Sequence, residues 1–136
     1  MVGLSLKGKY GLAAVFELAR HYPMPLQIKQ IAEAQAIPQN YLEQLLVLLK
    51  RGRFVLSTRG NQGGYQLAKM ASEIKVSDVL KCLEGPLSLF DEAKDHGCLS
   101  FFWKQAEAKI EVVFDVTLED LIYDQQRLEK MVTYAI

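Results

Sequence analysis

The sequence predicts a mainly α-helical chain with one small β-hairpin and a long helix near its end. Leu42, Leu45, Leu46 and Leu49 recur at i, i+3, i+4 and i+7, the stripe of a helix that buries one face. Lys50, Arg51, Arg53 and Arg59 follow, with the turn Gly60-Asn61-Gln62-Gly63-Gly64 between two short strand-forming runs. Further on, Leu99, Trp103, Ala106, Ile110 and Val113 recur at steps of four, three, four and three. That spacing is the seam of a helix that pairs with another helix.

The first helix is predicted to start after Ser5, a good N-cap, and to run to His21, with Leu12, Val15, Phe16 and Ala19 facing inward. Pro23 and Pro25 end it. A short second helix, near Ile28 to Ala34, buries Ile28, Ile31 and Ala32. Pro38 suits the first turn of a third helix because its missing N–H has no partner there anyway. Gly52 is the expected C-cap, with Lys50 and Arg51 placed favourably at the negative end of the helix dipole. Phe54 to Arg59 and Tyr65 to Ala68 read as strands, and a fourth helix spans about Ser77 to Leu83, where Gly85-Pro86 stops it. Residues 87–97 form a polar loop. A long helix then runs from about Cys98 to Asp115, and a last one from Thr117 to about Thr133, opened by a Thr117/Asp120 capping box.

Three short helices followed by a hairpin outline a winged helix-turn-helix domain. The expected organisation is residues 1–75 as that domain, 76–97 as a linking helix and loop, and 98–136 as a helical dimerisation region.

At 136 residues and 50% hydrophobic, the chain can build a proper core. The longest apolar runs fall short of the ~18 residues of a membrane span, and Met1 to Lys9 lacks a signal-peptide pattern. Two cysteines make no disulfide framework, so a reducing, cytoplasmic setting is expected. The net charge of zero hides a segregation. Residues 1–75 carry ten basic and four acidic groups, hence +6, which leaves −6 for residues 76–136. A basic half points to an anionic partner.

Opposite the leucine stripe, the third helix presents Asn40, Glu43, Gln44 and Val47. Asn, Gln and Glu are side chains that read base edges in a major groove. Gln39, Asn40, Tyr41, Glu43 and Gln44 are therefore the candidate reading surface. Glu43 faces a polyanion and needs a donor, for instance a cytosine amino group or Arg59. Lys50 and Arg51 are placed for phosphates, and Arg59, Gly60, Asn61, Gln62 and Gly63 for a wing whose arginine reaches a minor groove. Leu99, Phe102, Trp103, Ala106, Ile110 and Val113 are the candidate dimer contacts; Phe101, Phe102 and Phe114 widen that apolar surface beyond one stripe. Pairing would supply two reading helices to a palindromic site.

Cys98 at the start of the long helix is a candidate redox or metal-binding thiol, because the helix dipole favours thiolate there. Its neighbours Asp95 and His96 complete at most half a metal site. Cys82, within the apolar pattern of Val79, Leu80 and Leu83, is expected in the core. The chain has no nucleophile elbow, Walker loop, H-E-x-x-H or dinucleotide fingerprint. His21 and His96 have no evident partner, so no enzymatic activity is expected.

The chain resembles the Rrf-two (Rrf2) family of bacterial winged helix-turn-helix transcriptional regulators. The resemblance is carried by Leu4-Ser5-Leu6-Lys7-Gly8-Lys9-Tyr10, Ile31-Ala32-Glu33 and Tyr41-Leu42-Glu43-Gln44-Leu45-Leu46. Arg59 to Tyr65, Leu83-Glu84-Gly85-Pro86 and Thr117-Leu118-Glu119-Asp120-Leu121 complete it. It implies a homodimer held by the long helix, double-stranded DNA as partner, and most often repression. Cluster-binding members resemble this chain except in their three cysteines around the start of the long helix. Here only Cys98 stands in that region, and Phe101 holds the place of a following histidine. The resemblance is thus to cluster-free members, which answer to a regulatory protein, a small molecule or thiol redox state. An iron–sulfur or thiol sensor using Cys98 with unconventional ligands is the alternative expectation, and a protein-interaction module recruiting an enzyme through the long helix is a third.

Overall fold

The computed structural model describes residues 4–61 and 63–135. Six helices and one hairpin follow in order: α1 Leu6–His21, α2 Ile28–Gln35, α3 Gln39–Arg51, β1 Val55–Thr58, β2 Gly64–Leu67, α4 Val76–Glu84, α5 Ser100–Phe114 and α6 Leu118–Ala135. A single 3-10 turn, Ala71–Glu73, precedes α4. The mainly α class with a small hairpin is as the periodicities predict, and most boundaries agree to within two residues.

The leucine stripe of α3 makes the centre of the core: Leu42, Leu45, Leu46 and Leu49 are all buried. Around them stand Val15 and Leu18 of α1, Ile31 of α2, Val55 and Leu67 of the hairpin, and Val79 and Leu83 of α4. Full burial of one such side chain contributes about 1.5–3 kcal/mol, so this cluster dominates the stability of the first four helices. Among the described residues Glu17 is the one buried charged side chain; Arg20, His21 and Gln35 surround its carboxylate at 3.3–3.6 Å. His21 therefore has a partner that its sequence position did not reveal.

The helix ends depart from expectation in three places. Ser5 does sit at the N-cap of α1, but its side chain makes no cap bond to its own helix. The capping group is Glu84, from the end of α4: its carboxylate accepts the Ser5 N–H at 3.0 Å, the Gly8 N–H at 3.3 Å and the Ser5 hydroxyl. An anion at the positive end of α1 is favourable, and here it also ties α4 to α1. At the end of α3, Gly52 is the C-cap but stays right-handed, while Arg53 takes the left-handed conformation at φ +66°. The Arg53 N–H donates to Lys50 O and the Phe54 N–H to Leu49 O, each at 3.0 Å, which is a Schellman ending. Gly52 is needed for space: a Cβ there would stand 2.7 Å from Cys82 Sγ. Pro38 lies at the N-cap rather than inside α3.

Cys82 is not core. It is exposed on α4, with its Sγ 3.7 Å from the Leu48 carbonyl oxygen. The α4 pattern it belongs to turns Val79, Leu80 and Leu83 inward and leaves the cysteine at the edge of the α3 contact. Cys98 is likewise not within the long helix. It occupies the preceding turn, with Leu99 as N-cap and Ser100 as the first helical residue.

The hairpin is antiparallel, with Val55 opposite Leu67 and Thr58 opposite Gly64. The outer edge of β2 is paired as well: Leu26 and Tyr65 exchange two backbone bonds of 2.8 Å. Thr117 and Asp120 cap α6 reciprocally as predicted, at 2.9 and 3.1 Å. The start of α6 returns to the first half of the chain. Lys75 bridges Thr117, the Leu118 N–H donates to Ile74 O, and Leu118 is fully buried. By contrast, α5 has no buried residue and packs against α4.

Candidate nucleic-acid interface

Because Leu42, Leu45, Leu46 and Leu49 are anchored inward, the helical period forces Asn40, Glu43, Gln44 and Val47 outward. Gln39, Asn40, Glu43 and Gln44 are all exposed. Tyr41 lies on the flank: it is half-buried, and its ring meets Tyr10 edge-on at 5.9 Å. The exposed strip is one continuous face with the length of α3 behind it.

The wing is attached to that face by a specific bond. Lys50 Nζ donates to Ser57 Oγ at 2.6 Å, joining the last turn of α3 to β1. Arg51 and Arg53 are exposed beside it, and Arg59, Gly60 and Asn61 are exposed at the wing tip. Gln62 lies outside the described residues. Gly63 is half-buried, and a Cβ on it would meet Thr58 O at 2.3 Å, so the tip is closed by backbone against backbone. Gly64 takes φ +145° and lies so close to Leu26 that a Cβ would stand 2.3 Å from its carbonyl oxygen. Left-handed conformation and contact together require glycine here.

Between the start of α2 and the wing, a groove of about 420 Å³ is lined by Gln27, Lys29, Gln39, Ser57 and Thr58 among others. Gln27 Nε2 reaches Asn61 O at 3.5 Å across it. Neither Gln27, Lys29 nor Ser57 was singled out from sequence. Gln27 and Lys29 sit in an ordinary polar helix start, and only the packing of α2 beside the wing brings them to this face.

The candidate pairing surface is open. Leu99 is 55% exposed, Val113 66%, and Phe102 and Trp103 also face outward in an edge-on pair with centroids 5.0 Å apart. Ala106 and Ile110 are half-buried. A second apolar strip, Leu128, Met131 and Val132 on α6, is equally exposed. Its i, i+3, i+4 spacing is the periodic mark of an apolar helix face.

Cys98 is exposed, while the nearby His96 ring is engaged, its Nε2 lying 3.0 Å from Ala93 O. Among the described residues no three His, Cys, Asp or Glu side chains converge on a point where a metal could sit. No helix among the described residues is long and apolar enough to cross a membrane.

A buried leucine stripe behind a polar helix face, with a basic glycine-tipped hairpin bonded to its end, defines a winged helix-turn-helix DNA-binding protein. The chain belongs to the Rrf2 family: the family profile described as an iron-dependent transcriptional regulator matches residues 4–124. It is 36% identical over 121 residues to the HTH-type transcriptional regulator CymR of Bacillus subtilis, covering 87% of this chain and 88% of the relative. The solved structure of B. subtilis CymR superposes with a TM-score of 0.81 at 35% identity, over 89% of this chain and 96% of that one. The structure of T. potens IscR does so with a TM-score of 0.79 at 41% identity, over 90% and 88%. The protein is a transcriptional regulator with a DNA-binding fold, and not an enzyme.

Proposed function

We propose that the protein works as a homodimer, a sequence-specific repressor with residues 38–50 in the major groove and the wing, residues 54–68, at the minor groove. The observation that carries this reading is the union of Asn40, Glu43 and Gln44 with the cationic wing into one exposed surface through Lys50 and Ser57. Base-reading groups lie on the rigid helix, and groups suited to phosphate surround them, the division of labour such interfaces use. Dimerisation is supported by the open apolar face of Leu99, Phe102, Trp103 and Val113, which a lone protomer would leave in water. A two-fold pair presents its reading helices to half-sites about 34–36 Å apart, or a multiple of that. A dimer seated on a promoter blocks polymerase, hence repression. The setting is cytoplasmic, where the DNA is.

The regulator operates without a resident iron–sulfur cluster, Cys98 being alone where the resemblance calls for three cysteines. Its signal is then carried by a regulatory protein or a small molecule. In vitro selection from random duplex DNA tests the whole reading: the expected result is a palindromic site whose affinity falls steeply with salt. Recovery of unrelated sequences, or salt-independent retention, rejects it.

A further inference from the structure

A cavity of about 430 Å³ lies away from the DNA face, in the cleft between α4 and α5 and under the turn Gly85-Pro86-Leu87. Its floor is apolar, with buried Leu80 and half-buried Phe114, and exposed Pro86 stands at its rim. Two opposite charges line it, Lys81 from α4 and Glu111 from α5, and the Ser77 hydroxyl is a third polar group. Asp115 also lines it, but Lys75 Nζ holds its Oδ1 at 2.6 Å and pre-empts its charge. Among the described residues neither Lys81 nor Glu111 forms an ion pair, so a cation and an anion face the same cleft with their charges uncommitted.

The place of this cleft matters as much as its lining. At about 100° per residue, Ala108, Glu111, Val112 and Asp115 lie roughly opposite the seam of Leu99, Trp103, Ala106, Ile110 and Val113 around α5. Ala108, Glu111, Val112 and Asp115 are all exposed, so the cleft opens on the surface of the protomer. Its α4 wall is bonded through Cys82 to the Leu48 carbonyl of α3 and through Glu84 to the start of α1. A ligand wedged between α4 and α5 is placed to alter the angle between the reading helix and the pairing helix.

We infer that the α4–α5 cleft is an effector site for a small zwitterion with an apolar side chain, in chemical class an α-amino acid. Lys81 takes the carboxylate, Glu111 the ammonium, and Leu80 with Phe114 the side chain. Small-molecule sites have this composition, mostly apolar with a few convergent polar groups, and the volume lies within their range. The regulatory consequence rests on the DNA-binding reading above; the binding itself does not.

Calorimetric titration of the intact protein with L-alanine, L-valine, L-leucine, L-methionine and L-phenylalanine tests the site directly. Saturable binding of at least one is expected, with its decarboxylated amine and its des-amino acid each weaker by about tenfold or more, the loss of one charge-assisted hydrogen bond. Lys81→Met and Glu111→Gln are each expected to lose about the same factor, with Lys81→Arg retaining binding. Absence of binding by all five, equal binding of the amine or the acid, or full affinity in Lys81→Met overturns the proposal. The bound amino acid is further expected to change affinity for the selected duplex in the wild type and not in Lys81→Met; binding with no such change removes the effector role. A protein that selects no duplex but still titrates through Lys81 rejects the DNA reading and leaves the site standing.

Discussion

Lys50 and Ser57 are hydrogen-bonded at 2.6 Å, which joins the last turn of α3 to the first strand of the wing. The bond has two consequences for recognition. It links the wing to α3 by side chains as well as by backbone, and it places a cation at the corner where the two elements meet.

Lys50→Ala is expected to weaken binding to all sequences alike and to lower the slope of log affinity against log salt by about one. Ser57→Ala keeps the charge, so the slope stays and only affinity drops. Titrations of one labelled duplex over a range of salt distinguish the two.

Arg59 stands exposed at the wing tip. Replacement by Ala should cost about 1–3 kcal/mol of binding and relax any preference for A·T pairs where the wing lies, since narrow A·T grooves attract arginine. Competition between duplexes that differ only at those positions measures it; an unchanged preference takes Arg59 out of the groove.

Val113 is 66% exposed, so Val113→Glu leaves the protomer intact while placing a charge in the pairing seam. The expected product is a folded monomer by sedimentation. Its affinity for a palindrome falls by about a hundredfold or more, because the second half-site no longer benefits from linkage.

The Glu84 carboxylate is pushed up by burial and, more strongly in sum, pulled down by the Ser5 hydroxyl, the Ser5 and Gly8 amides and nearby Lys7. The result lies below its ordinary value of 4.5. A carboxylate lowered in the folded state stabilises above its unfolded value, and that contribution is lost as pH falls through the folded one. Stability should therefore decline on acidification below about pH 4.5 in part through this residue. Glu84→Gln should flatten that decline and cost about 0.5–2 kcal/mol at neutral pH, the scale of a lost helix cap. Urea unfolding at several pH values reads both.

Gly64 and Gly60 both have positive φ, +145° and +107°, but their surroundings differ. A Cβ at Gly64 collides with the Leu26 carbonyl, whereas nothing lies within 4 Å of one at Gly60. Gly64→Ala is expected to lose about 1–3 kcal/mol and to disturb the Leu26–Tyr65 pair, with Gly60→Ala the milder change. Thermal unfolding ranks them.

Much of this protein is written locally in its chain. The leucine stripe of α3, the strand–glycine–strand hairpin, the stops at Pro23 and Gly85-Pro86 and the Thr117/Asp120 cap follow from periodicity and short-range hydrogen bonding, which neighbours along the backbone supply. The outward face of Asn40, Glu43 and Gln44 was legible for the same reason: once one side of a helix is apolar, the other is determined by its pitch. The tertiary structure decided what depends on residues distant in sequence. Glu84 caps a helix 76 and 79 residues away, Cys82 leaves the core because α3 closes over its neighbours instead, Gly52 is needed for contact with α4, and Leu118 belongs to a core built from the first half of the chain. The groove at Lys29 exists only where α2 meets the wing, and the cleft at Lys81 only where α4 meets α5. A single helix can announce its own buried face, but which charge stands opposite which is settled only when the elements pack.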